Sequence, residues 1–321
     1  MIIGIGAIAV DTVLVTAGHW NEGKGRILQR RLRMGGNVRN AMVAAATLGG
    51  QVAYLGCLSA DGQWAGVASD LVDHGIDLSF VEWNDGAAPI QSTIVVTADA
   101  ERFIAFDDSV LQTTPLPSAG TVQQALELAS VLLVDASTAP PGTLAILDEA
   151  RTRRIPIVVD AERFLSGGAV VEQILSRADH VILPRHFAHS LTSASLEISD
   201  LPTRVHAALG TQPGVVVVVT DGTNGVVVCT QAEGSPVVEH LSAFEIQAID
   251  TVGCGDVFHG AYAVALDGGQ QLGDRLRFAS AAAASVAALT QDRDRVPDLQ
   301  VMSLLLGGPG QGSVDPSGAR T

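Results

Sequence analysis

The chain has 321 residues, 47% hydrophobic and 17% charged, which excludes overall disorder and allows one or two domains with a sizeable core. Its 19 Lys and Arg against 34 Asp and Glu leave a formal charge of −15, the wrong sign for a surface that tracks nucleic-acid phosphates. An anionic ligand would have to be held by a local device against the protein's own field.

The opening segment, MIIGIGAIAV, is apolar, has no basic region before it, and meets Asp11 too early for a membrane span. It predicts a first buried strand over Ile2–Val10 and no signal peptide. Further strands are predicted at Val52–Gly56, Val131–Asp135, Ile155–Asp160, His180–Leu183, Val215–Thr220 and Val226–Thr230. Between them, Ala- and Leu-rich periodicity predicts helices at Asn37–Leu48, Asp61–His74, Pro140–Arg153, Ala169–Arg177, Leu201–Leu209, Asp256–Asp267 and Leu272–Leu289. This alternation is that of an α/β fold with a parallel sheet between helices. The run Val215–Val219 has no polar alternation, so both of its faces should be buried.

Two stretches break the pattern. Thr12–Met34 and Gln91–Asp107 read as extended segments, with Ser92–Thr97 and Arg102–Phe106 joined by a turn at Asp99–Glu101. They predict a small accessory sheet over 12–34 and 91–107, beside a core of 1–11, 35–90 and 108–306. The tail over 307–321 has no hydrophobic face and is expected to be disordered. No run of ~18 uninterrupted apolar residues predicts a membrane partner. Cys57, Cys229 and Cys254 are far apart with no CxxC pair, which disfavours disulfides and structural zinc and predicts a reducing, cytoplasmic setting.

The strongest chemical signal is DTVGCGDVFHGAY, Asp250 to Tyr262. Gly253 and Gly255 flank Cys254 just before an apolar helix, so consecutive N–H groups can converge where the helix dipole also favours an anion. Asp256 is then either a helix N-cap or a general base beside a held phosphoryl group. In MGGNVRNA, Gly35 and Gly36 allow close approach to the backbone. Asn37 and Asn40 stand one turn apart, as amides suited to sugar hydroxyls or as a simple helix start. Asp11 follows the first strand, where open α/β sheets bind ligands. Thr220 to Gly225, TDGTNG, is a hairpin turn or a glycine loop under a nucleotide phosphate. Gly18 to Lys24 resembles a P-loop only superficially, because Gly25 stands where Ser or Thr would bind magnesium. His180, His186 and His189 lack companion ligands at metal spacing and are expected to be solvated.

Together DTVGCGD, GGNVRN and the N-terminal Gly6-x4-Asp11 resemble, in order, the signatures of the ribokinase-like (PfkB) family of sugar kinases, over the chain to about Asp298. The resemblance implies a three-layer αβα sandwich with a small β-sheet lid, often used for homodimerisation, and ATP with Mg2+ as cofactors. It implies catalysis by Asp256 with Gly253, Cys254 and Gly255 as anion hole, and sugar contacts from Asp11, Gly36, Asn37 and Asn40. It also implies nucleotide contacts from Thr220, Gly222, Gly225, Ser280 and Ala283, and a monovalent cation such as K+ near Asp250. Arg102 on the lid is a further candidate for phosphate or substrate contact. The family's NxxE motif is missing: Pro184 to Phe187 reads PRHF. GGNVRN is similar to ketohexokinases, and GDVFHGAYAVAL and RFAS are similar to bacterial sulfofructose kinases. A sulfonate calls for a cation near Asp135, and Asp135 to Thr138 holds none, so a neutral ketose such as fructose is the expected substrate. A nucleoside kinase with Trp20, Phe103 or Phe106 clamping the base, and a sugar-binding protein without catalysis, are the alternatives.

Overall fold

The structure, a computed structural model, describes residues 1–17, 26–97, 102–140, 142–163, 168–192, 197–210, 214–232, 235–288 and 296–307. In chain order its first half comprises β1 (Ile2–Ile5), β2 (Ala9–Thr16), β3 (Ile27–Gly35), α1 (Asn37–Thr47), β4 (Val52–Tyr54), β5 (Gly56–Leu58), α2 (Ala65–Asp73), β6 (Val81–Trp83), β7 (Ile90–Val96), β8 (Arg102–Asp107), α3 (Ala119–Leu128) and β9 (Val131–Asp135). There follow α4 (Thr143–Thr152), β10 (Ile157–Asp160), α5 (Gly168–Leu175), β11 (His180–Pro184), α6 (Arg185–Thr192), α7 (Leu201–Leu209), β12 (Val216–Thr220), β13 (Val226–Ala232), β14 (Ser235–Leu241), α8 (Cys254–Asp267), α9 (Leu272–Ala287) and α10 (Leu299–Gly307).

The central sheet has eight strands in the order β14-β13-β12-β11-β10-β9-β1-β4. Six run parallel, and β13 and β14 close one edge antiparallel. Successive strand residues point to opposite faces, and here both faces are covered. Val216 and Val218 enter one apolar layer with α1, α8 and α9, while Val217 and Val219 enter the other with α4, α5 and α7. The valine run is therefore buried on both sides, as expected. Chain order runs outward from β1 in both directions, to β4 on one side and β9 on the other. The switch point thus lies between β1 and β9, where α/β sheets place their ligands.

The expected strand Ile2–Val10 is in fact two. β1 ends at Ile5, and the chain turns away at Gly6, where a Cβ would lie 3.1 Å from the side chains of Asp135 and Val38. β2 then joins a separate four-stranded sheet, ordered β3-β2-β7-β8. Asp11 accordingly stands on the small sheet and not at the end of a core strand. The segments that broke the α/β alternation supply this sheet. The turn at Asp99–Glu101, Trp20, the Gly18–Lys24 stretch and the tail from residue 308 lie outside the described residues.

Candidate active site

α8 begins at Cys254, two residues earlier than periodicity suggests, because Gly253 takes the left-handed conformation (φ 76°) that caps it. Asp256 is therefore the third residue of the helix, and the N-cap reading is excluded. Asp256 is buried, and Asn40 Nδ2 donates to its Oδ2 at 2.8 Å. The Cys254 N–H closes a turn onto the Thr251 carbonyl at 3.3 Å, which corrects the expectation of three converging amides. The Gly253 and Gly255 amides bond to no other group among the described residues.

α1 starts at Asn37 with Gly36 as its cap (φ 99°), where a Cβ would sit 2.7 Å from the Ala7 carbonyl. Asn37 is the first helical residue and so is not the N-cap either, and its amide favours the charged form of Asp160. Asn40 is itself set from behind. Arg39 Nη1 donates to Asn40 Oδ1 at 3.3 Å, and Arg39 is clamped to Asp70 by bonds of 2.8 and 2.6 Å. On the small sheet, Ser92 Oγ donates to Asp11 Oδ1, and the Asp11 carboxylate leans over Gly35, where a Cβ would lie 2.6 Å from Oδ2. Asp135 ends β9 with Oδ1 accepting from the Ser137 amide at 2.9 Å and Oδ2 from Thr138 Oγ1 at 2.6 Å. Thr138 in turn accepts from the Ala7 amide at 3.0 Å, tying this loop to the switch point.

Three residues not singled out from the sequence complete the site. Asp160 ends β10, Glu162 follows it, and His259 lies one turn beyond Asp256. His259 Nε2 stands 3.4 Å from Asp160 Oδ1, an oxygen with no hydrogen-bond partner, and His259 Nδ1 lies 2.7 Å from the Gly255 carbonyl. Burial, then the charges of Glu162 and Asp160, push Asp256 well above the usual carboxylate range. Burial, then Asp135 and Glu162, push Asp160 up likewise. Asp135 is raised to about 6, chiefly by burial and against its bond from Thr138. A carboxylate so perturbed is well matched to taking a proton near neutral pH.

Farther along the sheet, β12 and β13 are antiparallel with Thr220 opposite Val226, so TDGTNG does turn a hairpin. Gly222 (φ 54°) and Gly225 (φ 89°) are both left-handed, and a Cβ on Gly225 would collide with the Leu241 carbonyl. Ser280 and Ala283 lie half-buried on α9. Asp250 is buried, with Oδ1 accepting from the Val252 amide at 3.0 Å. Where the NxxE motif would fall, Arg185 opens α6 and pairs with Asp221 at 3.0 Å. Arg102 lies opposite Val96 in β8, but its side chain is outside the described residues. His180 is buried against the Tyr262 hydroxyl at 3.1 Å, which corrects the expectation that it is solvated. The described residues contain no cluster of three potential metal ligands and no helix long and apolar enough to cross a membrane.

Residues 1–299 match the pfkB family of carbohydrate kinases. Ribokinase from Haemophilus influenzae is 24% identical over 256 residues, covering 79% of this chain and 81% of that protein. Ribokinase from Bacillus subtilis is 25% identical over 249 residues, covering 78% and 79%. The structure of Arabidopsis thaliana ribokinase complexed with ribose and ATP superposes with a TM-score of 0.81 at 20% identity, covering 95% of this chain and 98% of that one. With two glycine-capped helices meeting a buried aspartate at the switch point of such a sheet, the chain belongs to the pfkB carbohydrate kinase family, phosphotransferases that act on a sugar hydroxyl.

Proposed function

We propose that this chain is an ATP-dependent kinase that transfers the γ-phosphoryl group to a primary hydroxyl of a sugar, a ketose such as fructose being the preferred class. One observation carries the reading. Asp256 is buried at the mouth of α8 beside the Gly253 and Gly255 amides, with its carboxylate held by Asn40. Asp256 accepts the proton of the attacking hydroxyl, while the amides and the helix N-terminus stabilise charge on the transferred group. Asp11, Gly36, Asn37 and Asn40 line the sugar side, Asn40 also orienting Asp256. Asp135 stays locked by Ser137 and Thr138 and shapes the floor. ATP lies along Thr220, Gly222 and Gly225 and over Ser280 and Ala283 of α9.

Mg2+ bound to ATP needs only one or two protein carboxylates, since phosphate oxygens and water fill the rest of its shell. The orphaned Oδ1 of buried Asp160, with Glu162 nearby, fits that need in place of the missing NxxE carboxylate. When bound, the ion neutralises charge on the β and γ phosphates. Buried Asp250, just before the anion hole, supports a K+ position. The small sheet acts as a lid that excludes water during transfer. Its exposed Leu32 and Phe103 support pairing of two copies through the lid. The acidic charge, with no disulfide and no helix long and apolar enough to cross a membrane among the described residues, supports a cytoplasmic setting.

The test is a coupled ADP-release screen over fructose, ribose, sulfofructose and nucleosides, with and without potassium. Sugar-dependent ADP release is the expected result. Release with nucleosides alone would replace the sugar reading, and release with none would leave a sugar-binding protein without catalysis.

A further inference from the structure

Arg39 on α1 and Asp70 on α2 form an ion pair whose side chains are only 4% and 17% exposed, joined by bonds of 2.6 and 2.8 Å. Stability alone does not call for such a pair. Two charges taken out of water commonly lose as much hydration as their attraction returns, and well-packed apolar side chains hold two helices as firmly. What a guanidinium adds is direction. Asp70 engages Nε and Nη2, which fixes the plane of the fork and leaves Nη1 aimed at Asn40 Oδ1, 3.3 Å away. Adjacent side chains on a helix diverge, so this contact depends on Asp70 turning the head of Arg39 back toward Asn40.

The contact decides which way the Asn40 amide faces. An arginine can only donate, and an ionised carboxylate can only accept. Asn40 Oδ1 therefore faces Arg39 and Nδ2 faces Asp256 at 2.8 Å, the one orientation that satisfies both neighbours. Given the reading of Asp256 as the general base, we infer that Arg39 is a positioning residue of this kinase. Steered by Asp70, it locks the Asn40 amide with its N–H toward the catalytic carboxylate. The lock matters at proton transfer. As the sugar hydroxyl attacks the phosphoryl group its proton passes to Asp256, which stays neutral until that proton leaves to solvent. A free amide would then rotate, so that Oδ1 accepts from the new O–H and holds the acid in its protonated form. Arg39 keeps Oδ1 engaged, so the Asn40 N–H goes on favouring the ionised base. The device spans three helices, α2 to α1 to α8, and Arg39 and Asp70 act only through Asn40.

The experiment measures kcat, the KM for ATP and Tm on the full chain, with the best-used substrate of the ADP-release screen. One variant is Arg39→Lys, which keeps the charge but loses the fork. The other is the paired change Arg39→Met with Asp70→Leu, which removes both buried charges together. Each is also combined with Asn40→Ala. Alone, each should lower kcat about tenfold, the scale of one hydrogen bond to a charged group, with the KM for ATP unchanged. The paired change should keep the parent Tm. In the Asn40→Ala background neither should lower kcat further, because residues that act through one another are not additive. Full turnover in either folded variant, or losses that multiply with that of Asn40→Ala, would overturn the inference and leave the kinase reading standing. Failure of both variants to fold would reduce the pair to a structural role and overturn it too. No ADP release by the parent with any substrate would overturn the kinase reading and the inference with it.

Discussion

Glu162 enters the site from the segment after β10 and bears on three buried acids at once, since its charge raises Asp135, Asp160 and Asp256. Removing that charge should ease ionisation of Asp256, so the acid limb of the pH profile of kcat/KM is expected to move to lower pH in Glu162→Gln. A limb that stays in place or moves upward would show that another group controls it. The same crowding fixes the sign of a stability effect. Asp256 ionises less readily folded than unfolded, so its contribution is lost as pH rises above the unfolded carboxylate pKa. Asp256→Asn should accordingly melt no lower than the parent at neutral pH, as thermal unfolding can verify. Asp256 and Gly253 were legible in the sequence because the device they form is local, two glycines and an acid opening a helix. Asp160, Glu162 and His259 were not, since only tertiary packing brings them to Asp256.

α1 and α8 meet so closely that the site depends on a glycine remote from the chemistry. A Cβ on Gly260 would collide with the Ala41 carbonyl, one residue past Asn40. Gly260→Ala must push the helices apart, and a loss of about 1–3 kcal/mol is expected from overpacking of this kind. Because the Asn40–Asp256 bond of 2.8 Å spans the same interface, kcat should fall together with Tm. Unchanged melting and turnover would mean that the two helices do not seat Asp256. At this scale, long elements with strong periodicity, such as α7 and α9, were readable within a few residues. The split of the first segment into β1 and β2 was not, because both halves are equally apolar. What divides them is the packing of Gly6 against Asp135 and Val38.

For the molecule as a whole, the small sheet presents Leu32 at 69% and Phe103 at 55% exposure on the face away from Asp11, more apolar surface than a lone lid requires. Sedimentation should find a dimer, with Leu32→Arg shifting it to monomer. A wild-type monomer at micromolar concentration would contradict pairing through the lid. The order of motifs along the chain made the architecture readable from the sequence, whereas the separation of the small sheet from the central one emerged only from the strand pairings. Everything rests on one carboxylate accepting a proton where a phosphoryl group arrives, and steady-state turnover of Asp256→Asn tests it most directly. The predicted result is a fall in kcat of about 10²–10⁴-fold with nucleotide binding retained; turnover close to that of the parent would contradict the account.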